Sequence, residues 1–172
     1  GLELAAMYFR NRRMTLAAEA YAIFIERYPR STEIGFARRR LIYANIATFK
    51  GPQFDIVGLL EAKAELQQLA IRRPAEAERI GAGALIRRVE ESESNKMLTT
   101  ANWYLNKGDP IAAEYTIRQL VQRFPRSAAC MQALRGMPAI LKMLPESVLA
   151  TAPNYEALQA LQEAGDAAEA TP

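Results

Sequence analysis

Apolar positions in this chain recur at three- and four-residue intervals over most of its length. Ala17, Tyr21, Phe24 and Ile25 share one face of a helix, because residues three and four apart lie above one another on a helical turn. Pro29 closes that run. A proline disfavours the α conformation of the residue before it and has no N–H to donate. Ser31 then offers an N-cap, and Glu33 a first-turn acid, to a helix predicted over about residues 32–49 with Ile34, Ala37, Leu41, Ala44 and Thr48 on its stripe. Lys50, Gly51, Pro52 and Gln53 break it. Asp55 is placed to cap a helix running to about Arg72, striped by Leu59, Ala62, Leu66 and Leu69. Pro74 suits a first helical turn, with Glu76 and Glu78 near the positive end. No strong breaker follows before Lys107, so the pattern predicts one long helix over 75–107, kinked near Gly81 and Gly83.

Gly108, Asp109 and Pro110 make the sharpest boundary: a glycine to end one helix, an aspartate to cap the next and a proline for its first turn. Ala113, Ile117, Leu120 and Val121 then form a stripe that Pro125 closes, and Ser127 caps a further helix to about Met143. Beyond Pro145 the apolar pattern weakens to a short helix capped by Asn154, and the final DAAEATP is expected to fray. Nothing alternates with a period of two over a useful length, and no Asn-Gly or Asp-Gly dipeptide occurs. The chain reads as all-α, built of antiparallel helix pairs.

One stretch is written twice. Residues 5–31, AAMYFRNRRMTLAAEAYAIFIERYPRS, align without gaps on residues 101–127, ANWYLNKGDPIAAEYTIRQLVQRFPRS. Ala5 pairs with Ala101, Tyr8 with Tyr104, Ala17 with Ala113, Arg27 with Arg123, and Pro29, Arg30 and Ser31 with Pro125, Arg126 and Ser127. A repeated unit of this kind cannot bury its apolar face alone, so units must stack. The closing prolines Pro29, Pro74 and Pro125 stand 45 and 51 residues apart, so the two matching copies are the better-kept ends of an irregular array with a looser unit between them.

Composition narrows the chemistry. The chain has 172 residues, half of them hydrophobic, and no apolar stretch long enough to span a membrane. Residues 1–13 lack the pattern of a signal peptide, so a targeting segment is expected to lie outside this sequence or to have been removed. With no histidine and a single cysteine, Cys130, the common nucleophile–base pairs and histidine metal sites are closed, and neither catalysis nor a cofactor or metal is expected. A net charge of +3 does not mark a nucleic-acid binder. The charge is uneven, however: residues 1–50 carry nine basic and four acidic side chains, whereas from Met143 onward there are five acidic and none basic.

In the second copy, Tyr104, Gly108, Ala113, Ile117 and Pro125 fall where a tetratricopeptide unit has its aromatic, turn, small residue, bulky partner and closing proline. The small residue is required because anything larger would push the two helices apart. The first copy keeps Tyr8, Ala17, Tyr21 and Pro29, with Arg12 in place of the turn glycine. The elongated units, the YPRS or FPRS closings, and TTANWYLNKGDPIAAEYTIRQLVQRFPRS after a long helix resemble the BamD family, lipoproteins of the bacterial outer-membrane β-barrel assembly machinery.

That resemblance covers about residues 2–140 and implies a tetratricopeptide-like right-handed α-solenoid of antiparallel helix pairs. The array would fill residues 1–144 as about three irregular units plus a closing helix, with 145–172 a weakly structured acidic tail. It implies a non-catalytic scaffold in the periplasm at the inner face of the outer membrane. The implied partners are the periplasmic domain of the β-barrel insertase, other assembly-complex subunits and unfolded outer-membrane protein segments. Membrane attachment would come through a lipid anchor outside this chain or through partners. A general tetratricopeptide adaptor binding peptides or envelope proteins in its concave groove is the alternative.

The candidate interaction residues are arginine-rich. The doublets and triplet at 12–13, 38–40, 72–73 and 87–88 are either solvated helix faces or a surface for an acidic partner, since a guanidinium binds carboxylates bidentately. Arg38, Arg39 and Tyr43 are the candidates for a groove wall. By the resemblance, Arg118, Gln122, Arg123 and Arg126 face the insertase, although Arg123 and Arg126 equally suit the negative end of their helix. Glu90, Glu91 and Glu93 read as surface ion-pair partners of Arg87 and Lys96. Trp103 and Tyr104 diverge by ~100° on a helix, so one is expected to pack and the other to be partly exposed. Cys130 reads as core.

Overall fold

The computed structural model describes residues 1–169, with side chains to Gly165. The described residues form ten helices and no strand. These are α1 (Leu2–Arg10), α2 (Met14–Arg27), α3 (Ile34–Thr48), α4 (Val57–Arg72), α5 (Pro74–Arg79), α6 (Ala82–Asn106), α7 (Pro110–Arg123), α8 (Ala128–Leu141), α9 (Glu146–Leu149) and α10 (Tyr155–Glu169). The chain divides into two compact units, the first Gly1–Val89 and the second beginning at Glu90, inside α6.

In the first unit α1 to α5 pack as successive neighbours, and their short connections make those neighbours antiparallel. One core gathers Ala5, Ala17, Ala18, Tyr21, Phe24, Ala37, Leu41 and Ala44 from α1, α2 and α3. Tyr21 sits at its centre, edge-on to Phe9 and Phe36 at 6.4 and 6.5 Å between ring centroids. A second core joins Ile42 of α3 to Ala62, Leu66 and Leu69 of α4, then to Ala77 and Ala82. In the second unit Leu98 and Ala101 of α6 meet Ile117, Leu120 and Val121 of α7 and Ala133, Leu134, Met137 and Ile140 of α8.

The sequence repeat is a structural repeat down to the backbone. In the first copy Arg13 N–H donates to the Tyr8 carbonyl and Arg12 N–H to that of Phe9; in the second, Asp109 N–H donates to Tyr104 and Gly108 N–H to Leu105. Both turns place one residue in the left-handed region, Arg12 at φ 56° and Gly108 at φ 77°. The small residues Ala17 and Ala113 are fully buried at the helix crossings. All three closings match as well. Tyr28, Arg73 and Phe124, each before a proline, leave the α conformation while their N–H groups still donate to Phe24, Leu69 and Leu120.

Several capping expectations hold: Asp109, Ser127 and Asn154 accept from the N–H groups of Ala112, Cys130 and Ala157. Ser31 and Asp55 instead bond two residues on, to Glu33 and Val57, so α3 and α4 begin slightly later than expected. The single helix expected over 75–107 is two. Gly81 takes φ 68°, a left-handed conformation that stops α5 at Arg79 and lets α6 start afresh at Ala82. The segment expected as a weakly structured tail carries α9 and α10, and α10 packs on α8 with Tyr155 in the core. The fraying expected of the last residues, 170–172, lies outside the described residues.

Candidate interaction surfaces

The run Arg38, Arg39 and Arg40 on α3 points three ways, as a 100° step per residue requires. Arg40 leaves the surface to stack its guanidinium over Phe9 at 4.5 Å and Phe36 at 5.3 Å, covering the aromatic core. Arg39 donates through Nη1 to the Glu76 carboxylate at 2.6 Å, tying α3 to α5. Arg73, just before α5, reaches the other oxygen of Glu76 at 3.3 Å. Burial alone would raise the Glu76 carboxyl, but the hydrogen bonds and charges of the two arginines outweigh it and hold it below the usual carboxylate range. Arg38 is partly buried, and its Nε is sealed from solvent without a hydrogen-bond partner.

Arg38, Arg39, Arg72, Arg73 and Glu76 therefore come together around one concavity, floored by Gly35 and walled by Pro29, Ile34 and Leu69. Tyr43 lies one turn beyond Arg39 on α3 and is 39% exposed. The sequence offers Arg72 and Arg73 only as a doublet that is either solvated or a partner surface, and Glu76 only as a first-turn acid. The doublet's meeting with α3 runs through Glu76, which Arg39 bonds across 37 residues, and is tertiary.

In the second unit the four expected residues have different fates. Arg118 turns inward: its Nε and Nη2 both donate to Glu114 Oε1, at 3.0 and 2.8 Å. Glu114 is only 2% exposed, and the Tyr155 hydroxyl from α10 donates to the same oxygen. Arg123 reaches Glu93 of α6 at 3.5 Å and lies over the Phe124 ring. Gln122 and Arg126 are exposed. In the acidic run on α6, Glu91 and Glu93 do more than pair on a wet surface. Glu93 is 3% exposed, and Glu91 accepts the Ala128 N–H at the start of α8, where the helix dipole favours it. Trp103 is 53% exposed and packs its ring edge against Tyr104, with Lys107 over its face. Cys130 is buried as expected, against Gln162 of α10.

Among the described residues no helix is long and apolar enough to cross a membrane. Repeated helix pairs with matching turns and closings define a protein of the tetratricopeptide-like, all-α class. The chain belongs to the YfiO family, outer membrane lipoprotein, whose model matches residues 1–161. That membership associates it with the cell envelope. A comparison with curated proteins gave no match.

Proposed function

We propose that the protein is a non-catalytic scaffold of the outer-membrane β-barrel assembly machinery, held at the periplasmic side of that membrane. The observation that carries this is the family match over residues 1–161. It is supported by the repeated helix pairs, whose turns and closings coincide from copy to copy. In this reading Arg38, Arg39 and Tyr43 form one contact surface in the first unit. Arg118, Gln122, Arg123 and Arg126 belong to a second, toward the periplasmic domain of the insertase. There the exposed Gln122 and Arg126 touch the partner, while Arg123, bonded to Glu93, ties α7 to α6, and Arg118 stays bonded to Glu114 within α7. Attachment to the membrane comes through a lipid anchor outside the 172 residues or through those partners.

Affinity purification of the full-length native protein from detergent-solubilised envelopes tests the proposal. The β-barrel insertase should co-purify in fixed proportion. Recovery of the protein solely as a free soluble species would speak for a general adaptor instead.

A further inference from the structure

We infer that the concavity between α3, α4 and α5 is a receptor for a glutamate side chain of an acidic protein segment. The inference rests on the scaffold reading above and specifies the chemistry of one of its contacts. The described lining carries four guanidiniums, Arg38, Arg39, Arg72 and Arg73, against the single carboxylate of Glu76. Arg39 and Arg73 are engaged by Glu76. Arg38 and Arg72 line the concavity without pairing to that carboxylate. An incoming carboxylate would find these two guanidiniums to pair with, and a guanidinium fork binds a carboxylate strongly.

The shape of the cavity selects among anions. It holds about 130 Å³, room for a small group of atoms or several waters. Its remaining walls, Pro29, Ile34 and Leu69, are apolar. An anionic head on a short aliphatic stem fits that division, with the head on the arginines and the methylenes on the apolar wall. Glu76 shows the head-group geometry, since each of its two oxygens takes a different guanidinium. Gly35 leaves the space open: a Cβ there would stand 3.3 Å from Glu76 Oε1 and 3.6 Å from Arg73 Nη1.

Fluorescence anisotropy of a labelled Gly-Ser-Glu-Glu-Ser-Gly amide, titrated with the whole chain at low salt, tests the site. Its Gln-Gln counterpart, inorganic phosphate and vesicles of anionic phospholipid serve as comparison ligands. The Glu peptide should bind, and the Gln peptide should bind at least about tenfold more weakly, the size of one charge-assisted hydrogen bond. Arg38→Gln and Arg72→Gln should each weaken the Glu peptide by about tenfold. Glu76→Gln, by removing the internal competitor, should tighten it. Arg135→Gln, an equal charge change at an exposed position of α8, should leave it unchanged. Equal losses in Arg135→Gln, a Glu76→Gln variant that binds no better, or Arg38-dependent binding of phosphate or vesicles in place of the peptide would overturn the inference. Each of those results can stand beside intact co-purification with the insertase, so a failed pocket is separable from a failed scaffold.

Discussion

Tyr155→Phe removes one oxygen from the second unit and should loosen α10 without disturbing α6 to α8. The Tyr155 hydroxyl donates at 2.5 Å to Glu114, a carboxylate 2% exposed whose other partner is Arg118. A hydrogen bond to a charged group contributes about 1.5–3 kcal/mol, and the ring itself stays packed, so the loss should fall in that range. A local probe is already present. Cys130 is the chain's one cysteine, it is buried, and Gln162 of α10 lies on its sulfur. Burial also raises its thiol above the ordinary range. Labelling by a thiol reagent under native conditions should therefore require α10 to lift or the unit to open. If opening and closing are fast, the rate should rise by about 10- to 150-fold in Tyr155→Phe.

The dependence on pH gives a second check. Burial, and then the hydrogen bond to Glu114, push the Tyr155 phenol above its ordinary value of about 10. The folded protein keeps this proton after the unfolded chain has lost it, so the contribution is complete below about pH 10 and declines as pH rises through the folded value. The variant has no such proton, and the gap between the two proteins should narrow on the alkaline side. A labelling rate changed by less than about twofold, or a gap that widens with alkali, would refute the assignment of Tyr155 as the latch of α10.

Three further outcomes follow from the geometry. Arg12→Gly should stabilise the first unit by about 0.5–1 kcal/mol in urea unfolding, since Arg12 holds a left-handed φ that its counterpart Gly108 adopts freely. Gly58→Ala should cost about 1–3 kcal/mol, because its Cβ would lie 2.9 Å from the Asn45 carbonyl oxygen and the helix backbones cannot easily part. Glu76 titrates below its ordinary value, so its contribution is present above the unfolded pKa of about 4.3 and is lost as pH falls through the lower folded value. Urea midpoints of wild type and Glu76→Gln should therefore differ at neutral pH and converge in acid.

What could be read from the sequence divides by range. The turn at 108–110, the closing prolines and the caps at Asp109, Ser127 and Asn154 are local chemistry, and each appears where its own residues demand. Gly81 was visible as a weak point, but whether a glycine bends a helix or stops it depends on its φ, which packing decides. The short helix capped by Asn154 was legible, but its docking on α8 was not, because its apolar stripe is thin. What anchors it is Tyr155 on Glu114, a contact across 41 residues. The offset of the repeat hides this contact too: Glu114 occupies the position of Ala18, so the same buried site is apolar in one copy and ionic in the other. In the candidate site, Arg38 and Arg39 were legible as arginines on one helix. Their gathering with Arg72, Arg73 and Glu76 was not, because it requires the end of α4 to pass the start of α3.

The scaffold assignment meets its most direct test in isothermal calorimetry of the purified chain against the isolated periplasmic domains of the β-barrel insertase. Saturable one-to-one binding is expected, weakened in a Gln122→Ala, Arg126→Ala double variant that keeps wild-type helicity. No heat above dilution at concentrations where both partners are folded would contradict it.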